Sequence, residues 1–424
     1  MKITTIQQNL KSLFEPQYLL GLARKTGFIK RLRQLSPLHL IGAIVQTLSS
    51  QSNANLADIH RTFGALSGTM PNYKPFHNQL KKASLTQMLE SLVNEATKRW
   101  LLQPFQDALP EKYPFKKIHL HDGSSLKLHS ALAGVFPGRF TKTTPAAIEL
   151  HLTMDLLAGT ANYLAIDADK ESERLYNPYA DELKDTLILM DAGYFDINYC
   201  HRVDQHNGFY VIRASNSINP DILDAVDERG VQVKGLQGKK LRSLKLRQEQ
   251  QLDLTVRWCN RPGTFRLIAF WDRRKSCIGY LITNLSRDTF TAVDICNLYG
   301  LRWQIELFFK ELKSYCNLST FNTRNEHIIR TLVWSSMLAL LIKRYIAFGA
   351  GLLHQVLIST QKVARCSLLW MSDLVGALLQ PTTLTKGLKR ILEYLSVHGL
   401  RAHPERDKKT LLLQLGLSIY PVLE

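Results

Sequence analysis

The chain has 424 residues, 45% hydrophobic and 21% charged, with 54 Lys and Arg against 36 Asp and Glu and a net charge of +18. Such a length holds about two or three domains, and such a composition excludes a disordered or fibrous chain. The excess of positive charge points to a polyanionic partner, nucleic acid first, while six scattered cysteines without a CxxC pair argue against a disulfide scaffold or a zinc cluster.

Residues 1–105 read as helical. The opening MKITTIQQNLKSLF lacks the continuous apolar core of a signal peptide. Ser36-Pro37 is a cap followed by a first-turn proline, and an apolar run extends from there to Leu48. Asn55 opens a second helix with Leu56, Ile59 and Phe63 on one side, and Gly68, Pro71 and Asn72 make Gly64 to Lys74 a loop. Pro75 to Lys82 is a short basic helix, and Leu85 to Leu102 a longer amphipathic one. The helices on either side of that loop resemble a helix-turn-helix, with His77, Gln79, Lys81 and Lys82 facing DNA. Their connection is longer than the usual 3–4 residues or so, and a plain bundle with solvated lysines reads equally well.

A change to strands follows. Lys117 to Leu120 leads into His121-Asp122-Gly123-Ser124. From Ile148 to Leu156 the alternation is clean, with Ile148, Leu150, Leu152, Met154 and Leu156 on one face and Glu149, His151, Thr153 and Asp155 on the other. Ala158-Gly159-Thr160 turns the chain, and Tyr163 to Ile166 returns as a hairpin. A helical stretch from Ser172 to Leu183 precedes a buried strand, Thr186 to Met190, which ends in Asp191-Ala192-Gly193-Tyr194. A short helix and the strand Phe209 to Ala214 complete the run. The texture then becomes basic and Gly-containing, with Lys234, Lys239, Lys240, Arg242, Lys245 and Arg247, before strand-like runs at Leu252–Trp258, Phe265–Trp271 and Gly279–Thr283. This reads as a β-rich insertion, with the core resuming at about Val293. Helical patterns return at Ile328–Phe348, Leu352–Thr360, Ser367–Leu379 and, after Pro381, Leu384–Leu395. No apolar run approaches the roughly 18 residues that span a bilayer; Val333 to Ile342, interrupted by Ser335 and Ser336, reads as a buried helix.

The segment Tyr299 to Lys313, YGLRWQIELFFKELK, organises the rest. On a helix, with Glu306 at zero, Arg302 falls at about −40°, Tyr299 at about +20°, Lys310 at about +40° and Lys313 at about −20°. Leu301, Ile305, Phe308 and Leu312 gather on the opposite, apolar side. One carboxylate framed by cations and a phenol suits a metal ligand beside phosphate-gripping groups, although charged outer faces are also the norm for surface helices. Two more acids have a telling context. Asp122 and Asp191 each end a strand and are followed by a glycine-containing turn, where an Asp is by itself more often a turn residue than a ligand. Three carboxylates brought together repel unless a cation lies between them. Two magnesium ions about 3.5–4 Å apart would relieve that repulsion and serve an in-line phosphodiester displacement, using oxygen ligands alone. His119 and His121 share a strand face that Asp122 does not, and no further His or Cys has a suggestive spacing, which argues against zinc.

Tyr299, Arg302, Glu306 and Lys313 match Y-x2-R-x3-E-x6-K, which resembles the signature of DDE transposases of the insertion-sequence-4 family. Chance agreement of four fixed residues in a chain this long is well under about 1 in 100. Trp303 and Ile305 extend the match. The resemblance covers roughly Lys117 to Asn322 and implies an α/β fold: a ribonuclease-H-like mixed sheet with a β-rich insertion, flanked by helical N-terminal and C-terminal regions. It implies a helical DNA-binding region at 1–105, the core at 106–215 and 291–325, the insertion at 216–290 and a helical region at 326–424. Asp122, Asp191 and Glu306 then become the catalytic, metal-binding acids, with Mg2+ as cofactor and Mn2+ as substitute. Tyr299, Arg302, Lys310, Lys313, Lys240 and Arg242 become DNA-binding residues. The family's second motif is often D-R-G-Y/F, and Ala192 replaces that Arg here. Some relatives stack a flipped base on an aromatic residue, a role open to Trp258, Trp271 or Trp303, though core packing accounts for any one of them. The implied partners are double-stranded DNA, as transposon ends and target, and a second copy of the chain on that DNA, with no membrane and a cytoplasmic, nucleoid-associated location. A ribonuclease-H-like nuclease that cuts without joining, and a DNA-binding derivative without catalysis, are the alternatives.

Overall fold

The computed structural model describes residues 2–50, 54–100, 109, 111, 113–248, 250–259, 261–273, 275–318 and 323–402. Helices α1 (Ile3–Leu13), α2 (Pro16–Lys25), α3 (Pro37–Ser50), α4 (Leu56–Ser67), α5 (Tyr73–Leu80) and α6 (Ala83–Arg99) come first. Asn55 caps α4: its side chain accepts from the Ala57 and Asp58 N–H groups, and Asp58 accepts from the Asn55 N–H in return. Gly68 ends α4 at φ 66°, a left-handed conformation that glycine adopts without a steric penalty.

The sheet comes next. Its first part is β1 (Lys117–Lys127), β2 (Ala147–Asp155), β3 (Thr160–Ala168), β4 (Thr186–Met190), α7 (Ile197–Gln205) and β5 (Phe209–Ala214). Strands β6 (Asp221–Asp227), β7 (Gln251–Arg257), β8 (Phe265–Asp272) and β9 (Cys277–Thr283) come from the insertion. The nine strands lie in the order β3-β2-β1-β4-β5-β9-β8-β7-β6. Strands β1, β4 and β5 are parallel and β2 and β3 antiparallel, the arrangement of a ribonuclease-H-like core. The insertion's strands extend that same sheet, because β9 pairs antiparallel with β5. Helices α8 (Ala292–Gly300) and α9 (Trp303–Tyr315) return the chain to the sheet, α9 lying on β1.

The C-terminal helices are α10 (Glu326–His354), α11 (Thr360–Arg365), α12 (Met371–Leu379) and α13 (Leu384–His398). α10 packs against α3, α6 and α13, so the N-terminal and C-terminal helices form one body on one face of the sheet. By length and composition alone α10 could cross a membrane, with a window of mean hydropathy 1.5, but 83% of that window is buried inside the protein. A helix enclosed on all sides reads as apolar all round. The serines that interrupt the apolar run are paired internally: Ser335 donates to the Thr331 carbonyl and Ser336 to that of Cys316.

Three local expectations differ from the structure. Ser172 to Leu183 forms two short 3-10 turns, Glu173–Tyr176 and Ala180–Leu183, rather than a helix, because Asn177-Pro178 removes an N–H and disfavours helical backbone before it. Leu352 to Thr360 is not a separate helix: α10 runs on to His354, Gln355 turns at φ 55°, and Ser359 caps α11. Tyr299 to Lys313 is two helices, not one. After Gly300 the Leu301 and Arg302 N–H groups reach back three residues, to the Leu298 and Tyr299 carbonyls, and this tightened turn separates α8 from α9.

Candidate active site

Leu301, Ile305, Phe308 and Leu312 bury the apolar side of the α8–α9 segment and seat α9 on β1. Behind it, Glu311 accepts from Arg344 on α10 at 2.9 Å and from Thr360 on α11 at 2.6 Å. With α9 thus held, Arg302, Glu306, Lys310 and Lys313 face away from the core. The Arg302 guanidinium donates to Asp122 Oδ2 at 2.5 Å and to Glu306 Oε1 at 2.6 Å. The Tyr299 hydroxyl donates to Asp191 Oδ1 at 3.3 Å, and Arg302 lies over the Tyr299 ring. Asp122 and Glu306, far apart in sequence, therefore share one guanidinium, and the third acid shares its phenol neighbour.

Asp191 follows the last residue of β4, as its sequence context suggests. Asp122 does not end its strand: β1 runs on to Lys127. What ends near Asp122 is the pairing with β4, whose last partners are His121 and Met190. The glycines are also explained differently. A Cβ on Gly123 would meet the Tyr194 hydroxyl at 2.6 Å and Glu149 at 2.8 Å, and one on Gly193 would meet a Glu173 oxygen at 1.3 Å. Side-chain tips, not turn geometry, crowd both positions, and neither glycine has a positive φ.

A 2.5 Å ion pair would by itself lower the Asp122 pKa. Burial raises it more, and the Asp191 and Glu306 charges add to that, so the carboxyl is pushed up to about 6 despite Arg302 and the Gly123 N–H. The donor set is oxygen only, which suits a hard divalent ion. Among the described residues no three of His, Cys, Asp and Glu converge as a ready ligand cage; the cation between Asp122 and Glu306 is Arg302. The fit is one of donor chemistry and charge: burial, with the Asp191 and Glu306 charges added to it, disfavours the ionised Asp122, and a cation among these acids would offset both.

A family model described as transposase DDE domain matches residues 113–342, more than half the chain. The chain belongs to the transposase DDE domain family. The transposase for insertion sequence element IS231B of Bacillus thuringiensis subsp. berliner is 21% identical over 451 residues, covering 95% of this chain and 93% of that protein. That for IS231F of Bacillus thuringiensis subsp. israelensis is 20% identical over 97% of this chain and 94% of its own. A solved structure, the piggyBac transposase synaptic complex with hairpin DNA, superposes at a TM-score of 0.44 with 10% identity over 95% of this chain and 89% of that one. The family implies an enzyme that works on DNA with a divalent metal ion.

The remaining residues singled out in this DDE transposase are dispersed. Lys310 is exposed on α9, and Lys313 donates to the Ser125 carbonyl on β1 at 3.0 Å. Lys240 pairs with Asp221 at 2.7 Å, and Arg242 donates to the Ser217 carbonyl at 2.6 Å, both within the insertion and away from the acids in sequence and strand order. His121 is fully buried against Thr153 and the Tyr194 ring, its pKa driven down to about 3 by burial, so it serves as a neutral core group. His119 contacts Asp155 and Asn162. Trp258 packs edge-on against Phe265.

The polar face that alternation gives β2 is covered in the folded chain. Glu149, His151 and Thr153 are only 4%, 0% and 3% exposed, because the turns carrying Tyr176 and Tyr194 cover them. Tyr194 bonds His151 at 2.8 Å, Tyr176 stacks on the His151 ring, and Glu149 shares Arg139 with Asp169 and Glu173. Burial, then Glu173 and Asp169, raises the Glu149 pKa from 4.5 to about 7. A raised acid pKa contributes stability that is full below about 4.5 and is lost as pH rises through about 7. Glu149→Gln should therefore raise the thermal midpoint at pH 8, by the equivalent of about 1–3 kcal/mol, and change it little at pH 4.5. Melting curves across this range check it; a lower midpoint at pH 8 would mean that the Arg139 pairing outweighs the repulsion. Arg213, in β5, is another residue absent from the sequence-based expectations. It bonds Asp272 at 2.6 Å and interacts electrostatically with Asp191 and Tyr299; a cation inside the apolar run FYVIRA was the available signal.

Proposed function

We propose that this protein is an insertion-sequence transposase that binds terminal inverted repeats, cuts at them and joins the 3′ ends to target DNA. The observation that carries this reading is the Arg302 guanidinium held between Asp122 and Glu306, with Asp191 on Tyr299 beside it. Asp122, Asp191 and Glu306 hold the metal, Mg2+ with Mn2+ as substitute. When bound, such an ion polarises the scissile phosphate and activates the attacking water or 3′-hydroxyl. Arg302 exchanges a carboxylate for a substrate phosphate, and Lys310 and Lys313 take phosphates farther along α9. Tyr299 keeps Asp191 oriented. Metal-dependent cutting of a labelled terminal-repeat duplex, followed by joining of its 3′ end, tests the proposal. Cutting without joining would leave a nuclease, and binding without cutting a DNA-binding derivative.

Residues 1–105 form the DNA-binding region in this reading, 106–215 and 291–325 the catalytic core, 216–290 an insertion carrying Lys240 and Arg242 against DNA, and 326–424 a C-terminal support, of which 403–424 lie outside the described residues. The chain acts as a homodimer on DNA, in the cytoplasm at the nucleoid. Support for the first assignment comes from a cleft of about 660 Å³ between the 27–35 loop and α5, lined by Lys30, Arg31, Arg33, Gln79 and Lys82. A larger cleft of about 920 Å³ between α6 and the β1–β3 end is not lined by any of the three acids. Reversing Arg31 and Arg33 to Glu should weaken binding to any sequence and lower the slope of log affinity against log salt by about 2. Reversing Lys240 and Arg242 should do less, since Lys240 is already paired with Asp221. A salt slope unchanged by the first pair removes the cleft from the DNA path.

A further inference from the structure

Beyond Asp122, β1 has lost its partner β4 but continues beside β2 as far as Lys127 opposite Ala147. Together with β3, which pairs with β2 as far as Ala168 opposite Ile148, the two strands project past the end of β4, where Asp191 lies, as a three-stranded arm. Residues 128–146 close that arm. Their fold is closely determined. Leu128 donates to the Ala146 carbonyl at 2.9 Å and Gly138 to that of Pro145 at 3.0 Å, while Thr143 and Thr144 both donate to Phe140, at 3.1 and 2.7 Å. A Cβ on Gly138 would lie 2.0 Å from the Thr144 carbonyl oxygen, so only glycine fits. Phe136 is buried at the base, with Arg330 of α10 over its ring at 5.0 Å.

Arg139, itself still 43% exposed, reaches back from this loop toward the sheet. Its guanidinium lies 3.4 Å from Glu149, 3.6 Å from Asp169 and 3.7 Å from Glu173. Those acids stand directly behind the site: Glu149 against Gly123, next to Asp122, and Glu173 against Gly193, two residues after Asp191. The next residue, Phe140, turns outward and is 66% exposed. Thr141, Lys142 and Thr143 beside it are exposed too, and the turn carries no acid. This turn, held by acids behind the site on the face of β1 that Asp122 does not share, thus presents a bare phenyl ring within a rim of hydroxyls and one cation. An aromatic at a protein–protein hot spot is usually set in an apolar patch, whereas a stacking residue for a base is set among phosphate-binding groups.

We infer that the Phe140–Thr143 turn is a second hold on the DNA, resting on the transposase reading above: Phe140 stacks on a base of the strand beside the cut, and Lys142 and the threonines take the adjoining phosphates. Arg139 is its positioning residue. The test uses the full-length protein in EDTA and terminal-repeat duplexes carrying 2-aminopurine singly at each position around the cut. Wild type should change the fluorescence at one or two adjacent positions. Phe140→Ala should lose that signal and bind at least about fivefold more weakly. Phe140→Tyr should restore both, and Arg139→Lys should keep binding but blur the position of the signal. The phenyl ring is exposed, so Phe140→Ala keeps the wild-type melting temperature. Wild-type signal and affinity in Phe140→Ala would overturn the inference, as would a change in its sedimentation with the base signal intact, which would make this face a contact between copies. If wild type neither binds nor, with Mg2+ or Mn2+, cuts these duplexes, the transposase reading itself falls; if it cuts and Phe140→Ala behaves as wild type, only the inference does.

Discussion

Glu306→Gln is expected to abolish both cleavage and 3′-end joining while leaving binding to a terminal-repeat duplex within about twofold of wild type. The substitution keeps the shape of the side chain and its place on α9, and the amide oxygen can still accept from Arg302 Nη2. It removes the charge that would hold a divalent ion, and metal-assisted displacement loses many orders of magnitude when its ion is lost. Binding survives because Arg302, Lys310 and Lys313 remain. Lys313→Ala provides the contrast: losing a charge-assisted contact worth about 1.5–3 kcal/mol should weaken end complexes while some cutting persists. Lys313 is also a strut, donating to the Ser125 carbonyl on the β1–β2 arm, so part of its effect should appear as misplaced cutting. Gel shift and cleavage on one labelled duplex separate the two variants. Full cleavage by Glu306→Gln would sink the assignment of Glu306 as a metal ligand.

The contrast between these variants reflects which features a sequence can reveal. The five core strands were legible because each is a short run of β-branched and aliphatic residues punctuated by Asp, Gly or Asn, and period-2 alternation in Ile148–Leu156 survives whatever covers the sheet. Asp122, Asp191 and Glu306 were legible as acids in unusual settings. Illegible was everything set by the third dimension. Alternation put Glu149, His151 and Thr153 on one face of the strand but not what covers it: the turns from 173–176 and 192–194 lie over them and make that polar face a buried network. Arg139 and its three acids are spread over 35 residues with no local pattern. Angles measured along one ideal helix placed Tyr299 beside Glu306, yet the tight turn after Gly300 is what brings the Tyr299 hydroxyl to Asp191.

Arg302→Ala should lower the thermal midpoint in EDTA more than any substitution on the outer face of α9, and divalent ions should recover most of the loss. Arg302 is 14% exposed and touches Asp122, 15% exposed, and Glu306, 34% exposed. Removing one member of a fully buried ion pair costs about 3–5 kcal/mol, because the remaining charge is left desolvated and unpaired. Here Glu306 reaches water, so about 2–3 kcal/mol is the better expectation. Recovery by metal distinguishes a metal-binding site from a purely structural ion pair. If Asp122, Asp191 and Glu306 hold a divalent ion, Mg2+ or Mn2+ replaces the missing guanidinium charge at the same acids, and the variant's midpoint should climb toward wild type with rising metal by mass action. Wild type should respond less, since its guanidinium competes for the same carboxylates. A structural ion pair predicts the same loss in EDTA and no recovery from either metal. Melting curves of both proteins over a series of Mg2+ and Mn2+ concentrations decide it, independently of any DNA substrate: equal metal responses in wild type and Arg302→Ala would remove the acids around Arg302 from the metal site.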